Sequence, residues 1–362
     1  MTDRERFIEV LGFGKPDRLM MWQLFGLMPG VLERWQGEGM PAQSQAEAMK
    51  LFGFDAQPRQ IQAEYGPYPR AERRVIEDND EFEVFTDNFG RTNKLIKSAS
   101  TVPLPLDFPV KSAADWEEWE PRFKYHPGRM AEGWLQDNQS ARYNGQPVSM
   151  FFMGLYHMPR QLMGDLELSL AFYDQPELLR RILDTYTDLI IALGEEALSQ
   201  AEADIVYLGE DYAYSGGAFI SPAMFREFLS PYYRKIIGFF KSKGVKLFAV
   251  DSDGKVDELI PLLLEVGVNV FYPFEVQAGN DIAQIRRKYG RQLAMVGGLN
   301  KMEISQGKAA IDRELDAKLP TMRETGGYIA SLDHRVTVET SYADYVYYVE
   351  GAKRRLFGKE VR

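Results

Sequence analysis

The chain has 362 residues, no cysteine, and 43 Lys+Arg against 53 Asp+Glu, a formal net charge of −10. Without cysteine there are no disulfides, thiolate nucleophiles or sulfur-ligated zinc sites. The acidic balance argues against nucleic acid or an anionic membrane as the main partner. With 45% hydrophobic and 27% charged residues the composition is that of a soluble globular protein, and the length suits one large α/β barrel or two average domains.

The opening Met1-Thr2-Asp3-Arg4-Glu5-Arg6 is too polar for a signal peptide, and no apolar run approaches the roughly 20 residues of a membrane helix, so a cytoplasmic location is expected. Thr2 and Glu5 make a capping-box pair ahead of a helical stripe of Phe7, Ile8 and Leu11 that ends at Gly12 or Gly14. Leu19 to Leu27 reads as a strand, and residues 30–53 as two short helices. Between Arg73 and Ser100 the pattern alternates around Asp87-Asn88-Phe89-Gly90, which predicts an antiparallel hairpin insertion over 73–100. Residues 101–122 read as a loop with a short helix.

From residue 146 the rhythm is regular. Strands are predicted at Val148–Gly154, Ile205–Leu208, Lys246–Val250, Val268–Tyr272, Leu293–Val296 and Gly327–Ala330. Helices are predicted at Pro176–Ala203, Ser221–Gly244 with a break at Pro231, Val256–Val266, Asp281–Tyr289, Lys308–Thr325 and Ser341–Phe357. The strands are continuous apolar runs, the mark of a parallel sheet buried on both faces. No Gly-x-Gly-x-x-Gly follows an early strand, which counts against a doubly wound nucleotide-binding sheet. The fold class expected is therefore α/β: one (β/α)8 TIM barrel over 1–362, with an N-terminal helical extension and the hairpin insertion.

Such a barrel carries its site on residues just past the strand C-termini. Those positions hold Trp22 and Gln23, Glu64 and Tyr65, Tyr156 and His157, Glu210-Asp211-Tyr212, Asp251-Ser252-Asp253, Phe274-Glu275, Asn300, and Asp333-His334-Arg335. An acid in that place can simply cap the next helix, and Asp253 before Gly254 is open to both readings. Asp251, one residue past its strand, is harder to explain as a cap. Among the three histidines, His126 is expected at the surface and His157 in the core, and His334 is the candidate functional imidazole.

The segments DYAYSGGAFISPAMFREFLSPYYRKII, VDSDGKVDELIPLLLEVGVNVFYPFE and VGGLNK resemble the C-terminal half of the uroporphyrinogen decarboxylase superfamily, which also holds corrinoid-linked methyltransferases. The opening RERFIEVLGFGKPDR is similar to the methyltransferase-like branch. The resemblance implies a (β/α)8 barrel with its pocket at the strand C-termini. True uroporphyrinogen decarboxylases carry an arginine-rich loop after the first strand; here that place reads Met21-Trp22-Gln23-Leu24-Phe25-Gly26 and holds no cation for a carboxylate-rich tetrapyrrole. The methyltransferase branch binds zinc through a His-x-Cys pair and a late Cys. Here those places read Asp251-Ser252-Asp253 and His334, which implies at most a divalent, zinc-like metal held by harder ligands.

The function expected from the resemblance is methyl transfer from a small methyl ether or methylamine to a corrinoid held by a partner protein. Asp251, Asp253 and His334 would bind metal or polarise the leaving atom, and Glu210 and Glu275 would orient the substrate. Trp22, Gln23, Glu64, Tyr65, Tyr212, Phe274, Asn300 and Arg335 would line the substrate site, with aromatics facing the corrinoid. The alternative is a decarboxylase or lyase acting on a small acid or tetrapyrrole. A non-catalytic tetrapyrrole or corrinoid carrier ranks last, because a carrier does not need converging carboxylates.

Overall fold

The computed structural model describes residues 1–98 and 102–358. Its central sheet has eight strands: β1 Met20–Met21, β2 Arg59–Gln60, β3 Val148–Met153, β4 Ile205–Gly209, β5 Leu247–Ser252, β6 Val270–Pro273, β7 Ala294–Val296 and β8 Tyr328–Ala330. The hydrogen-bonded order is β1-β8-β7-β6-β5-β4-β3-β2 and every pairing is parallel. The last strand thus returns to the first, and the sheet curls into a (β/α)8 barrel. β1 and β2 do not pair with each other. Asp55 bridges that seam: its carboxylate accepts from the Met21 amide at 2.9 Å, and its own amide donates to the Met21 carbonyl at 3.1 Å.

The strands are short and, β2 apart, almost wholly buried because helices cover the sheet outside while side chains fill it inside. Helix α1, Asp3–Leu11, closes the N-terminal end of the barrel. It starts on the expected Thr2–Glu5 capping box, and Arg4 pairs with Asp204, just before β4, at 2.9 Å. Phe7 stacks on Trp22 with ring centres 5.8 Å apart. Among the described residues no helix is long and apolar enough to cross a membrane.

Several elements differ from the sequence reading. The first strand is only two residues long, because the chain turns at Phe25 and Gly26, both with positive φ; Leu27 touches Val336 through an isolated bridge. The insertion is a four-stranded antiparallel sheet, Arg74–Asp78, Phe82–Thr86, Thr92–Ile96 and Leu104–Asp107. Its last strand lies in what reads as loop, and residues 99 and 100 of the expected hairpin segment, with 101 of the loop after it, fall outside the described residues. Helix α2, His157–Asp174, has no counterpart in the periodicity reading, because Pro159 and Gly164 (φ 80°) interrupt the stripe. α3 spans Pro176–Leu198. Near Pro231 the break takes the form of a π-helical turn at Phe225–Leu229, followed by α4, Ser230–Ser242, with the proline in its first turn. Proline has no N–H to continue the α ladder, and the wider turn absorbs the missing bond.

Candidate active site

The strand order places the loops after β4, β5, β6 and β8 at one end of the barrel. Asp251 pairs in register with Gly209 of β4 and Tyr272 of β6, and the Glu210 amide donates to its carbonyl at 2.8 Å. Asp251, Asp253 and Asp211 gather here, with Glu275 beside Asp253. Burial first, then the charges of Asp211 and Asp253, holds the Asp251 carboxyl well above the usual carboxylate range. Burial, with Asp211 and Glu275 nearby, pushes Asp253 up to about 6. Like charges held out of water favour the protonated form. Asp211 carries φ 56°, a left-handed conformation uncommon for a non-glycine residue, and Asp is one of the few that tolerate it.

Asp253 Oδ2 lies 3.8 Å from His334 Nε2. The His334 ring rests on Phe25 with centres 5.2 Å apart, and its Nδ1 accepts from the Arg335 amide at 2.8 Å. Burial, followed by the neighbouring Lys301, keeps this imidazole below its ordinary pKa. Glu275 Oε2 accepts from the Gly254 amide at 2.9 Å. Gly254 must be glycine: its φ is 82°, and a Cβ would stand 2.5 Å from the Ala213 backbone. Asp253 does not cap the following helix: its side chain accepts no backbone hydrogen bond among the described residues.

Of the three ligands expected from sequence, Asp253 meets His334, and its charge also acts on Asp251. Among the described residues no group of three or more His, Cys, Asp or Glu is placed to hold a metal ion. No step is therefore routed through one.

Glu210 also departs from its expected role. It is fully buried, and its carboxylate accepts from the amides of Leu155, Tyr156 and His157 at 2.7, 2.9 and 3.1 Å and from the Tyr233 hydroxyl. It caps α2 at the point where the helix dipole favours an anion, and burial still pushes it up to about 7. A Cβ at residue 154 would stand 1.9 Å from its carboxyl carbon, which is why β3 leads into glycine there. Asp333, fully buried, likewise accepts from the Val276 and Lys301 amides at 2.8 and 3.1 Å.

The other expected substrate contacts divide. Gln23 turns into the protein: its Nε2 donates to the Leu24 and His334 carbonyls, and its Oε1 accepts from Tyr345. Tyr212 and Phe274 are core residues, against Tyr156 and Phe271 respectively. Asn300 caps the short helix Lys301–Ile304. Arg335 is exposed, and its side chain has no ion pair or hydrogen bond among the described residues. Trp22 does line the barrel interior. With Phe25, Phe151, Tyr207, Tyr272, Gln57, Gln60 and Ser149 it surrounds a cavity of about 220 Å³. Trp22 Nε1 is buried without a hydrogen-bond partner among the described residues. Tyr272 pairs in register with Asp251, so the cavity adjoins the acidic group. Glu64, paired with Arg70 at 2.8 Å, and Tyr65 line a separate cavity of about 570 Å³ beneath the inserted sheet, with Arg73, Asp87, Phe89 and Arg91.

Sequence reasoning missed Tyr207 and Tyr272, which alternation along β4 and β6 places toward the barrel axis. It also passed over Asp211 in favour of its neighbour Glu210.

A parallel barrel with an acidic, aromatic-floored mouth at its strand C-termini defines the class: a (β/α)8 protein built on the plan of barrel enzymes. The uroporphyrinogen decarboxylase (URO-D) family profile matches residues 139–355, and the chain belongs to that family. A methyltransferase from Methanosarcina mazei has the same fold, with a TM-score of 0.61 at 14% identity over 98% of both chains. Xylanase B from Clostridium stercorarium overlaps at TM-score 0.35 and 13% identity, over 62% of this chain and 82% of that one. A sugar phosphate isomerase/epimerase from Parabacteroides distasonis overlaps at 0.33 and 12%, over 61% and 77%. At those scores the overlaps carry nothing about this chain. No curated protein matches the sequence.

Proposed function

We propose that this chain is an enzyme that moves a methyl group from a small methyl ether or methylamine to a corrinoid carried by a partner protein. The observation that carries the reading is a pair of carboxyls, Asp251 and Asp253, both raised by burial and neighbouring acids, beside a small aromatic cavity and, among the described residues, facing no cluster of arginines. When the methyl group leaves, its bond to oxygen or nitrogen breaks and the electron pair stays on that atom, which then needs a proton. Asp253, with its carboxyl raised to about 6 and half open to the mouth, is the donor. Asp211 and Glu275 keep the Asp253 carboxyl raised, and the aromatic walls hold the substrate's apolar part. The corrinoid supplies the methyl acceptor. The likeness to the Methanosarcina methyltransferase is one of fold and is compatible with this reading.

One observation favours a second reading. The unpaired Arg335 beside His334 can hold the carboxylate of a small acid, and the same carboxyl pair can protonate a carbanion after loss of carbon dioxide.

A single assay separates the two. Methyl ethers, methylamines and small carboxylic acids are offered in turn with reduced cobalamin, following the cobalamin spectrum and released carbon dioxide. The expected result is methylated cobalamin from one of the methyl donors, with kcat falling as pH rises through about 6 because Asp253 loses its proton. Carbon dioxide release with no methylated cobalamin from any donor would replace this reading with the second.

A further inference from the structure

We propose that Arg91, Gln161 and His157 form a hydrogen-bonded line that fixes the His157 tautomer and aims an imidazole N–H at Asp211 in the acidic mouth. His157 opens α2, where its amide donates to Glu210, and Gln161 follows four residues later on the same helical face. Arg91 comes from the inserted sheet. Asp87 holds it, accepting from its Nε at 2.7 Å, and it lies over the Phe89 ring.

The direction of the line follows from donor counting. A guanidinium has only donors, so the Gln161 atom hydrogen-bonded to Arg91 Nη1 must be the carbonyl Oε1. The other end of that amide, Nε2, is then a donor, and it stands 2.6 Å from His157 Nε2. A neutral imidazole that accepts at Nε2 carries its proton on Nδ1. Nδ1 lies 3.5 Å from Asp211 Oδ2. Arg160 stands on the other side of the pair and donates to the Asp211 carbonyl at 3.1 Å, which holds the backbone of the acid in place. Burial keeps the imidazole neutral in the range where the tautomer matters. The inserted sheet, remote from the barrel axis in sequence, thereby acts on the orientation of Asp211. Asp211 in turn raises both Asp251 and Asp253. Arg91, Gln161 and His157 are positioning residues. Their effect on turnover rests on the methyl-transfer reading, and the tautomer does not.

The chain has three histidines, and the other two supply the control. His126 Nδ1 accepts from the Gly128 amide at 2.9 Å and His334 Nδ1 from the Arg335 amide at 2.8 Å, so both carry the proton on Nε2 when neutral. Long-range ¹H–¹⁵N correlation spectra of the ¹⁵N-labelled full chain at pH 8 read all three. Two rings are expected in the Nε2–H pattern, and His157, assigned by its loss in His157→Gln, in the Nδ1–H pattern. Arg91→Leu is expected to shift His157 toward Nε2–H, and Arg91→Lys, which still donates to Oε1, to restore it. Gln161→Leu serves the same purpose if Arg91→Leu fails to fold, with the His126 and His334 signals reporting the fold. An Nε2–H pattern for His157 in the unaltered chain overturns the proposal. So does an Nδ1–H pattern unchanged in folded Arg91→Leu or Gln161→Leu. If the tautomers behave as expected and no methyl donor is turned over, the methyl-transfer reading fails and the line stands.

Discussion

Glu210 and Asp333, on one hand, and Asp251 and Asp253, on the other, all follow barrel strands at the same end of the molecule, yet they do different work. The first two are sealed from solvent and surrounded by amide donors at helix starts. The second two lie among other carboxylates, with no hydrogen-bond donor to their side chains among the described residues. All four are raised by burial. A raised carboxyl is thus no mark of catalysis by itself. What separates the pairs is whether the lone pairs are already used: a carboxylate holding three amides has nothing left to offer a substrate, whereas one without donors is available for proton transfer.

The sharpest way to break this distinction is Asp253→Asn. It keeps shape and removes the exchangeable proton, so kcat for whichever donor is accepted should fall on the order of 10²-fold or more, with the circular dichroism spectrum unchanged. A loss under threefold would show Asp253 to be a bystander and remove the proton donor from the proposed mechanism.

Glu210→Ala tests the other side. It strands three buried amides and the Tyr233 hydroxyl, so unfolding free energy should drop by about 3 kcal/mol or more in a urea titration. Such a fall, with residual activity proportional to the folded fraction, fits a helix cap. Full stability with abolished turnover would return Glu210 to the catalytic group.

These two residues also show how much the sequence discloses. The barrel is legible because Val148–Gly154 and Lys246–Val250 are nearly continuous apolar runs, and the strand-end acids are legible because barrel topology collects them. Which acids are caps is not legible. That depends on where helices begin, and α2 is hidden by Pro159 and Gly164. The choice between Glu210 and its neighbour Asp211 depends on the positive φ at Asp211, a backbone feature that Asp permits without announcing. The metal set looks sound as spacing, but among the described residues no group of three or more His, Cys, Asp or Glu is placed to hold a metal ion, and spacing along the chain does not carry that. The link from Arg91 to His157 joins an inserted sheet to a helix missing from the periodicity, and no local pattern marks it.

The smallest expected effect concerns stability at Asp251. Its carboxyl is raised in the folded chain relative to the unfolded one, so the protonated form favours folding. That contribution is complete below the unfolded carboxylate pKa and is lost as pH rises through the folded value. At pH 8 the folded chain must either hold an ionised group among Asp211 and Asp253 or keep its proton against the solution; either way it pays relative to the unfolded chain. Asparagine has no such proton, so Asp251→Asn should melt at the same temperature as the unaltered chain near pH 4 and ~1–3 °C higher at pH 8, as measured by differential scanning calorimetry at both pH values. Asp333→Asn should not show that gain, because one carboxylate oxygen accepts from Val276 and the other from Lys301, and the NH2 of asparagine must face one of those donors. A pH-dependent gain of equal size in both variants would mean that the donors around Asp333 count for nothing and that the two kinds of acid are one.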